Sequence, residues 1–237
     1  MLKFIISIFF LFVVSFGFSQ ENKPSKETKK DTIVYKTGYG LRLGIDVSKP
    51  ALQLVDKSYT GYEIVGDYRV SKRWYIAGEI GHEKEITFED YTKSTSKGNY
   101  IRLGANYNTY NNWLDMNNEI YVGGRYGFAI FDHTLNSYTP NVSNPDFPGY
   151  YPSQPNNTPM SDTGLKAHWL ELQVGIKVET FKNLFIGFSG SYKIAVSIDD
   201  QENFKTLYAP GFNRVYSSDT GFGFNYTISY LIPFVNK

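Results

Sequence analysis

The sequence predicts an all-β protein, an eight-stranded antiparallel transmembrane up-and-down β-barrel. Three observations support this prediction. Large apolar residues alternate with small or polar ones in segment after segment, no segment shows a convincing helical period, and the chain starts with an export signal. Residues 221–234, GFGFNYTISYLIPF, show the alternation most strictly.

The composition excludes several classes of function. Lys and Arg number 24 and Asp and Glu 23, so no net basic charge favours nucleic acid as a partner. Cysteine is absent, which excludes disulfides, cysteine metal sites and a thiol nucleophile.

The N-terminal residues predict export. Residues 1–19 combine Lys3, an apolar run and the small residues Gly17 and Ser19, as in a secretory signal peptide for Sec export. Together with the strand pattern described below, this predicts the outer membrane as the location. A single membrane helix would need a longer run. Residues 20–36 are polar and Lys-rich and predict a disordered periplasmic tail, or alternatively a docking segment for a periplasmic partner. The barrel domain is expected over residues 37–237.

Eight segments carry the alternation, each bounded by Gly, Asn, Pro or Ser. The predicted strands are 38–47, 60–70, 73–83, 100–107, 119–131, 167–179, 184–196 and 221–234. The last of them is expected to close the barrel against the first.

The two faces of these strands differ sharply in charge. One face is apolar and aromatic without a charged residue, as along Leu41, Leu43 and Ile45. The other holds glycines and thirteen charged residues: Arg42, Asp46, Glu63, Asp67, Arg69, Glu79, Arg102, Glu119, Arg125, Glu171, Lys177, Glu179 and Lys193.

Two architectures fit such a sheet. A soluble barrel or sandwich turns its apolar face inward, and an outer-membrane barrel turns it toward lipid. Strand lengths near ten residues, aromatics at strand ends and glycines on the charged face favour the membrane barrel. Short gaps at 71–72 and 180–183 and long ones at 48–59, 132–166 and 197–220 also favour it, although the eleven-residue linker 108–118 breaks this rhythm.

The interior of an eight-stranded barrel is just wide enough for side chains. Charged side chains there must be paired, so the thirteen residues predict a structural ion-pair network, with Arg42, Arg69, Arg102 and Arg125 bridging carboxylates. The alternative is a path for protons or ions. The structural interpretation predicts no sizeable conductance.

No catalytic, cofactor-binding or metal-binding residue is predicted. His82, His133 and His168 fall near outer strand ends or loops, and none has a serine two residues away. Asp199, Asp200 and Glu202 lack the spacing of a calcium loop, so solvation is expected, with calcium bridging to lipid headgroups as the alternative.

The third outer loop, 136–165, is the most unusual stretch because it holds six of the ten prolines. Its aromatic residues Tyr138, Phe147, Tyr150 and Tyr151 are candidates for a surface that binds glycan or protein. The alternative is a variable loop without a ligand.

Four stretches resemble a family of small bacterial outer-membrane barrels of unknown function. They are YGLRLGIDVSKP at 39–50, IYVGGRYG at 120–127, PGFNR at 210–214 and GFGFNYTISYLIP at 221–233. The resemblance implies the barrel fold and the outer membrane, and it supplies no activity and no catalytic residue.

The leading hypothesis for function is a non-enzymatic structural or interaction protein. It would contact outer-membrane lipid and present loops 132–166 and 197–220 to an extracellular glycan or protein. The alternatives are a lipid-modifying enzyme using the outward face near His168, and a subunit of an envelope assembly or secretion complex that docks through residues 20–36.

Overall fold

The computed structural model describes residues 38–112, 116–140 and 155–236. The predicted signal peptide and periplasmic tail lie outside these ranges, as do Phe147, Tyr150 and Tyr151.

Eight long strands form a closed antiparallel barrel, which confirms the predicted fold class. They are β1 Gly38–Asp46, β2 Tyr59–Arg69, β3 Trp74–Phe88, β4 Thr92–Asn108, β5 Glu119–Tyr138, β6 Met160–Phe181, β7 Leu184–Ile198 and β10 Thr220–Asn236. Each strand pairs with its sequence neighbours, and β10 closes the ring against β1 with Leu43 opposite Tyr230. The small strands β8 Tyr208–Ala209 and β9 Asn213–Arg214 form a hairpin in the last loop.

The side-chain alternation places the apolar face outside and the charged face inside. Ile45 and Leu172 expose 53% and 58% of their surface, whereas Arg102, Glu63 and Asp46 expose 2%, 2% and 1%. Polarity is therefore inverted relative to a soluble barrel, because the large apolar residues surround a buried, charged lumen.

The two ends of the barrel differ. At the inner end β2 and β3, and β6 and β7, are joined by short turns, and Asn183 adopts a left-handed φ of 66° in one of them. At the outer end three of the four connections are long, and the fourth, between β3 and β4, is a hairpin turn of three residues. The described part of the linker between β4 and β5, residues 109–112 and 116–118, forms neither strand nor helix.

Strands β3 to β6 extend farther outward than predicted. Pairing of β3 with β4 continues from Ile80–Ile101 to Phe88–Lys93, and pairing of β5 with β6 reaches Leu135–Met160. Residues 84–88, 92–99, 132–138 and 160–166 are therefore strand, where sequence periodicity had ended; we call these four segments the outer extension.

The first outer loop contains a helix that the sequence period did not indicate, α1 Ser48–Val55. It spans only eight residues, which is too short for a helical period to be established from the sequence. None of the helices in the described ranges is long and apolar enough to cross a membrane.

Candidate functional site

Arg102 lies at the centre of the barrel lumen among three carboxylates. Its Nη2 is 2.7 Å from Glu63 Oε1, its Nη1 is 3.1 Å from Glu171 Oε1, and its Nε is 3.4 Å from Glu79 Oε2. Arg125 shares Glu79, with Nε 3.0 Å from Oε1. Strands β2 to β6 contribute these side chains, so the cluster ties opposite walls of the barrel together.

A second cluster lies toward the inner end, around Arg42. The Arg42 Nη2 atom is 2.7 Å from Asp67 Oδ1 and 2.6 Å from Glu119 Oε1, and Lys177 also pairs with Asp67. The Arg42 guanidinium lies 4.7 Å from the centre of the Phe185 ring. Charge pairing and ring stacking together satisfy a cation that exposes 3% of its surface.

Nine of the thirteen predicted lumen residues form these ion pairs, and four have other partners. Arg69 was expected to bridge carboxylates, but its guanidinium donates to the backbone carbonyls of Ser71 and Lys72 and lies against two tyrosine rings. Asp46 accepts from Ser48 and Asn225. Glu179 accepts from Asn117 and the backbone N–H of Asn183, and Lys193 donates to the carbonyl of Gly211.

The local reason for the Arg69 difference is its position at the last residue of β2. The short turn that follows points free carbonyl oxygens back at the side chain, and a guanidinium with five N–H donors satisfies them at 3.2 and 2.6 Å. The sequence alternation correctly placed Arg69 on the lumen face, but it did not predict the hydrogen-bond partners of its guanidinium.

Little space remains between the charged side chains. A cavity of about 30 Å³ lies among Arg42, Glu63, Glu79 and Arg125, enough for one or two water molecules. The described lumen is thus filled at the level of both clusters.

The outer mouth of the barrel is closed by part of the last outer loop, residues 208–214, which we call the plug. Phe212 and Ala209 are completely buried and pack with Tyr100, Phe131 and Trp169. The Phe212 and Trp169 rings meet edge to face with centres 6.0 Å apart. The loop 197–220, predicted to face outward, therefore directs its centre into the barrel.

The Glu83 carboxylate accepts hydrogen bonds from the plug on its lumen side. Its Oε2 accepts from the Tyr208 hydroxyl at 2.8 Å and from the Gly211 N–H at 2.7 Å, and its Oε1 accepts from the Tyr59 hydroxyl at 3.0 Å. The Lys49 ammonium of α1 donates to Oε1 at 2.5 Å. Burial lowers the pKa of Lys49, but Glu83 and Glu63 raise it by more, so this pKa lies above its ordinary value.

Sequence reasoning missed both Glu83 and Lys49. Glu83 is in phase with Glu79 on β3, so extending the predicted lumen face by two positions would have found it. Lys49 lies in an outer loop, where no period assigns a side chain to the lumen. Only the tertiary fold brings it there.

The predicted loop surface is described only in part. Tyr138 ends β5, is partly buried and pairs through its backbone with Asn156. Residues 132–138 and 160–166 are strand rather than loop.

The three histidines occupy different surroundings. His82 faces outward, stacks on Tyr62 and contacts Asn99 Oδ1 at 2.8 Å. His168 also faces outward and contacts the Tyr126 hydroxyl at 2.6 Å, so its described hydrogen-bond partner is not a serine nucleophile. His133 was expected in a loop or at the interface, but it is fully buried in the outer extension and stacks on Phe204.

The acidic residues of the last loop serve local structure. Asp199 accepts from the backbone N–H of Lys166 at 3.0 Å, and Asp200 accepts from that of Thr206 at 2.8 Å. Across the described ranges, no group of three or more His, Asp or Glu residues could hold a metal ion.

Comparisons with known proteins give few matches. One solved structure that is similar is the crystal structure of Ail, the attachment invasion locus protein of Yersinia pestis. It has 12% sequence identity and a TM-score of 0.42, covering 82% of this chain and 98% of that one. No curated protein matches. A family model matches residues 1–237, and the chain therefore belongs to the family described as "Domain of unknown function (DUF6048)".

Proposed function

We propose that the protein spans the outer membrane as a closed, non-conducting barrel and that its outer extension is an interaction platform. The observation that carries this proposal is the inverted polarity. A continuous exposed apolar surface surrounds a lumen of buried, mostly ion-paired charges. Such a surface in water would be an aggregation site, whereas in lipid it is the favourable one.

The ends of the apolar surface support a membrane crossing. At the inner end Trp74 packs on Tyr107 with ring centres 5.1 Å apart, and Tyr68 lies 6.4 Å from Phe234. At the outer end Tyr192 and Phe222 lie 5.1 Å apart. Aromatic side chains prefer the two headgroup boundaries, so these pairs mark the limits of the apolar belt, the band of outward-facing residues between them.

The filled lumen argues against transport. Neither ion-pair cluster can separate without leaving buried charges unpaired, and the plug covers the clusters at the outer end. A function based on binding outside the membrane therefore suits the geometry better than passage of a solute.

The outer extension supplies the surface for such binding. It rises beyond the belt as four paired strands and carries the Pro-rich loop with Tyr138 at its base. A stiff sheet that presents a loop with aromatic residues suits an extracellular glycan or protein.

Membrane insertion is tested first. The protein is expressed with its signal peptide, and envelopes are separated and extracted with alkaline carbonate. We expect the chain in the outer-membrane fraction, resistant to extraction, with a gel mobility in detergent that changes on boiling. A carbonate-soluble periplasmic protein without a mobility shift would overturn the proposal.

The platform is tested by shortening the β3–β4 hairpin in register. Residues 86–95 are replaced by Asn-Gly, which joins the paired residues Glu85 and Ser96. The folded variant and the wild type, both in lipid nanodiscs, are compared on a glycan array and on immobilised extracellular-matrix proteins. We expect binding by the wild type and its loss in the variant. Absence of wild-type binding to every probe, or equal binding by both, would contradict a role for the extension.

A further inference from the structure

Three lysines project outward from the outer extension just beyond the apolar belt. Lys84 on β3 lies directly opposite Lys97 on β4, and Lys166 on β6 lies opposite Ile130 on β5. All three are exposed. We call Lys84, Lys97 and Lys166 the lysine row.

The register fixes the depth of the lysine row. The polar residues His82 and Asn99 pair two residues closer to the inner end than Lys84 and Lys97. The apolar residues Ile80 and Ile101 pair two residues closer still. At about 3.3 Å per residue, the Cα atoms of Lys84 and Lys97 lie roughly 13 Å along their strands from the Ile80–Ile101 pair. This is the level of lipid headgroups for a barrel seated in the membrane by its belt.

Proteins avoid like charges that face each other across a strand pair, because the pair destabilises the sheet. Lys84 and Lys97 form such a pair, and no ion pair joins any of the three lysines to a carboxylate in the described ranges. Two carboxylates lie next to the row but accept from backbone N–H groups. Asp132, opposite Lys97 on β5, accepts from the N–H of Gly164 at 3.1 Å, and Asp199 accepts from the N–H of Lys166 at 3.0 Å.

The positive charge lies on one side of the barrel only. At the outer end of β7 and β10 the outward residues are Val196 and Phe222, exposed by 62% and 72%. On β1 the last outward residue is apolar too, Ile45. Headgroup-level charge is therefore concentrated over β3 to β6 rather than spread around the rim.

We propose that the lysine row binds the phosphate group of an anionic lipid in the outer leaflet. A phosphate between Lys84 and Lys97 would remove their repulsion, and the long side chains reach it from above while the acyl chains lie along Ile80 and Ile101. Beneath the phosphate, the His82–Asn99 hydrogen bond offers polar edges to the glycerol or sugar that carries it. This inference rests on the proposed membrane location and adds to it a ligand class and a site.

The test uses the mature folded chain in detergent, with phosphatidylglycerol and phosphatidylcholine of identical acyl chains as probes in native mass spectrometry. Each lysine near an anionic headgroup contributes about a fivefold gain in affinity. We expect the wild type to prefer phosphatidylglycerol at least about tenfold, and the variant Lys84→Gln/Lys97→Gln/Lys166→Gln to lose this preference. Sodium chloride is expected to weaken the wild-type preference.

A matched control carries the same change of charge elsewhere. The variant Lys57→Gln/Lys182→Gln/Lys205→Gln removes three exposed lysines from the outer loops and one inner turn, and we expect it to keep the preference. The single variant Lys97→Gln, which breaks only the facing pair, is expected to lose part of it. Heat-dependent gel mobility verifies that each variant is folded.

Three results would overturn the inference: equal lipid preference in wild type and lysine-row variant, equal loss in the control, or binding of soluble heparin without preference between the lipids. The last would indicate an extracellular polyanion instead. A chain that fails to enter membranes at all would contradict the proposed function. An inserted barrel without lipid preference would contradict only the lipid site.

Discussion

At the scale of the residue, Arg102 shows how the lumen is held together. One guanidinium serves Glu63, Glu79 and Glu171, and it exposes 2% of its surface. A buried ion pair contributes little net stability when intact, because desolvation offsets the attraction. Removal of one partner is costly, since the remaining charges lose their compensation.

Replacing Arg102 by methionine, of similar length but without charge, should therefore destabilise the barrel by about 3–5 kcal/mol. The measurement is urea unfolding in lipid vesicles, followed by tryptophan fluorescence. Arg73→Met is the control, because Arg73 is exposed at the inner end and donates to Tyr107 and Asn111, so it should cost about 1 kcal/mol or less. Equal unfolding midpoints for the two variants would refute a central role for Arg102.

Glu85, which lies outside the apolar belt, predicts how the stability of the barrel depends on pH. Burial, followed by the charges of Asp56 and Glu83, raises the pKa of Glu85 to about 7. A carboxyl whose pKa is raised on folding favours the neutral form, so its ionisation removes stability as pH rises from about 4.5 to about 7.

Glu85→Gln should remove this pH dependence. The variant should match the wild type near pH 4.5 and be more stable above pH 7, as measured by urea midpoints across that range. Glu89→Gln is a suitable control, because Glu89 is exposed and pairs with Arg214. A constant difference between Glu85→Gln and wild type at all pH values would rule out the titration.

At the scale of the element, two of the three glycines of β5 differ in the space around them. A Cβ at Gly127 would lie 2.0 Å from Cε2 of the buried Trp169, whereas a Cβ at Gly124 would meet nothing within 4 Å. Gly127 faces the lumen beneath the plug and makes room for the indole. Gly124 faces outward, and no neighbouring atom requires the absence of a side chain there.

Gly127→Ala should accordingly lower the unfolding free energy by about 1–3 kcal/mol, because Trp169 and the plug must shift. Gly124→Ala, three residues away on the same strand, should be neutral or stabilising by up to about 1 kcal/mol. Urea unfolding and tryptophan fluorescence report both stability and the indole environment. Similar effects at the two positions would show that strand propensity, and not the contact with the indole, determines the change in unfolding free energy.

The strands themselves were predictable where lipid and lumen impose opposite polarity on alternate residues. Above the belt the outward face carries polar residues and the lumen side of β4 carries buried serines, so the apolar period fades: the start of β4 has the sequence TKSTSKG. For this reason its residues 92–99 were not predicted as strand, although the Cα pairing continues without change. The helix α1 was missed because its eight residues are too few to show a helical period.

The sequence predicted which charged residues face the lumen, but it did not predict which of them pair with each other. Arg102 and Glu171 fall on the charged face by alternation alone, whereas the ends of strands follow local geometry, as the Arg69 contacts with turn carbonyls show. The plug was not predictable, since Phe212 and Tyr208 reach Trp169 and Glu83 only after the chain has folded back over the mouth.

At the scale of the whole molecule, two separate features, the plug and the Arg102 cluster, each close the lumen. The plug fills the mouth, and the Arg102 cluster lies deeper, because β4 runs from Tyr100 beneath the plug toward the inner end. Either obstacle alone is sufficient to block the small bore of an eight-stranded barrel.

Replacing residues 207–215 by a Gly-Ser linker should therefore lower stability without opening a channel. In planar bilayers we expect neither the wild type nor the plug variant to show discrete conductance steps, while the variant retains heat-dependent mobility. Stable ion-selective steps in the plug variant would show that the ion-pair clusters are permeable and that the plug is a gate.

The position of the plug along the chain has a consequence for the order of assembly. Residues 208–214 lie between β7 and β10, so the segment that fills the mouth is carried by the same hairpin that completes the ring. Before that hairpin docks, Glu83 has Tyr59 and Lys49 as its available partners, both from the N-terminal third of the chain. Because the plug and β10 belong to one segment, only the segment that completes the ring can also seal the mouth.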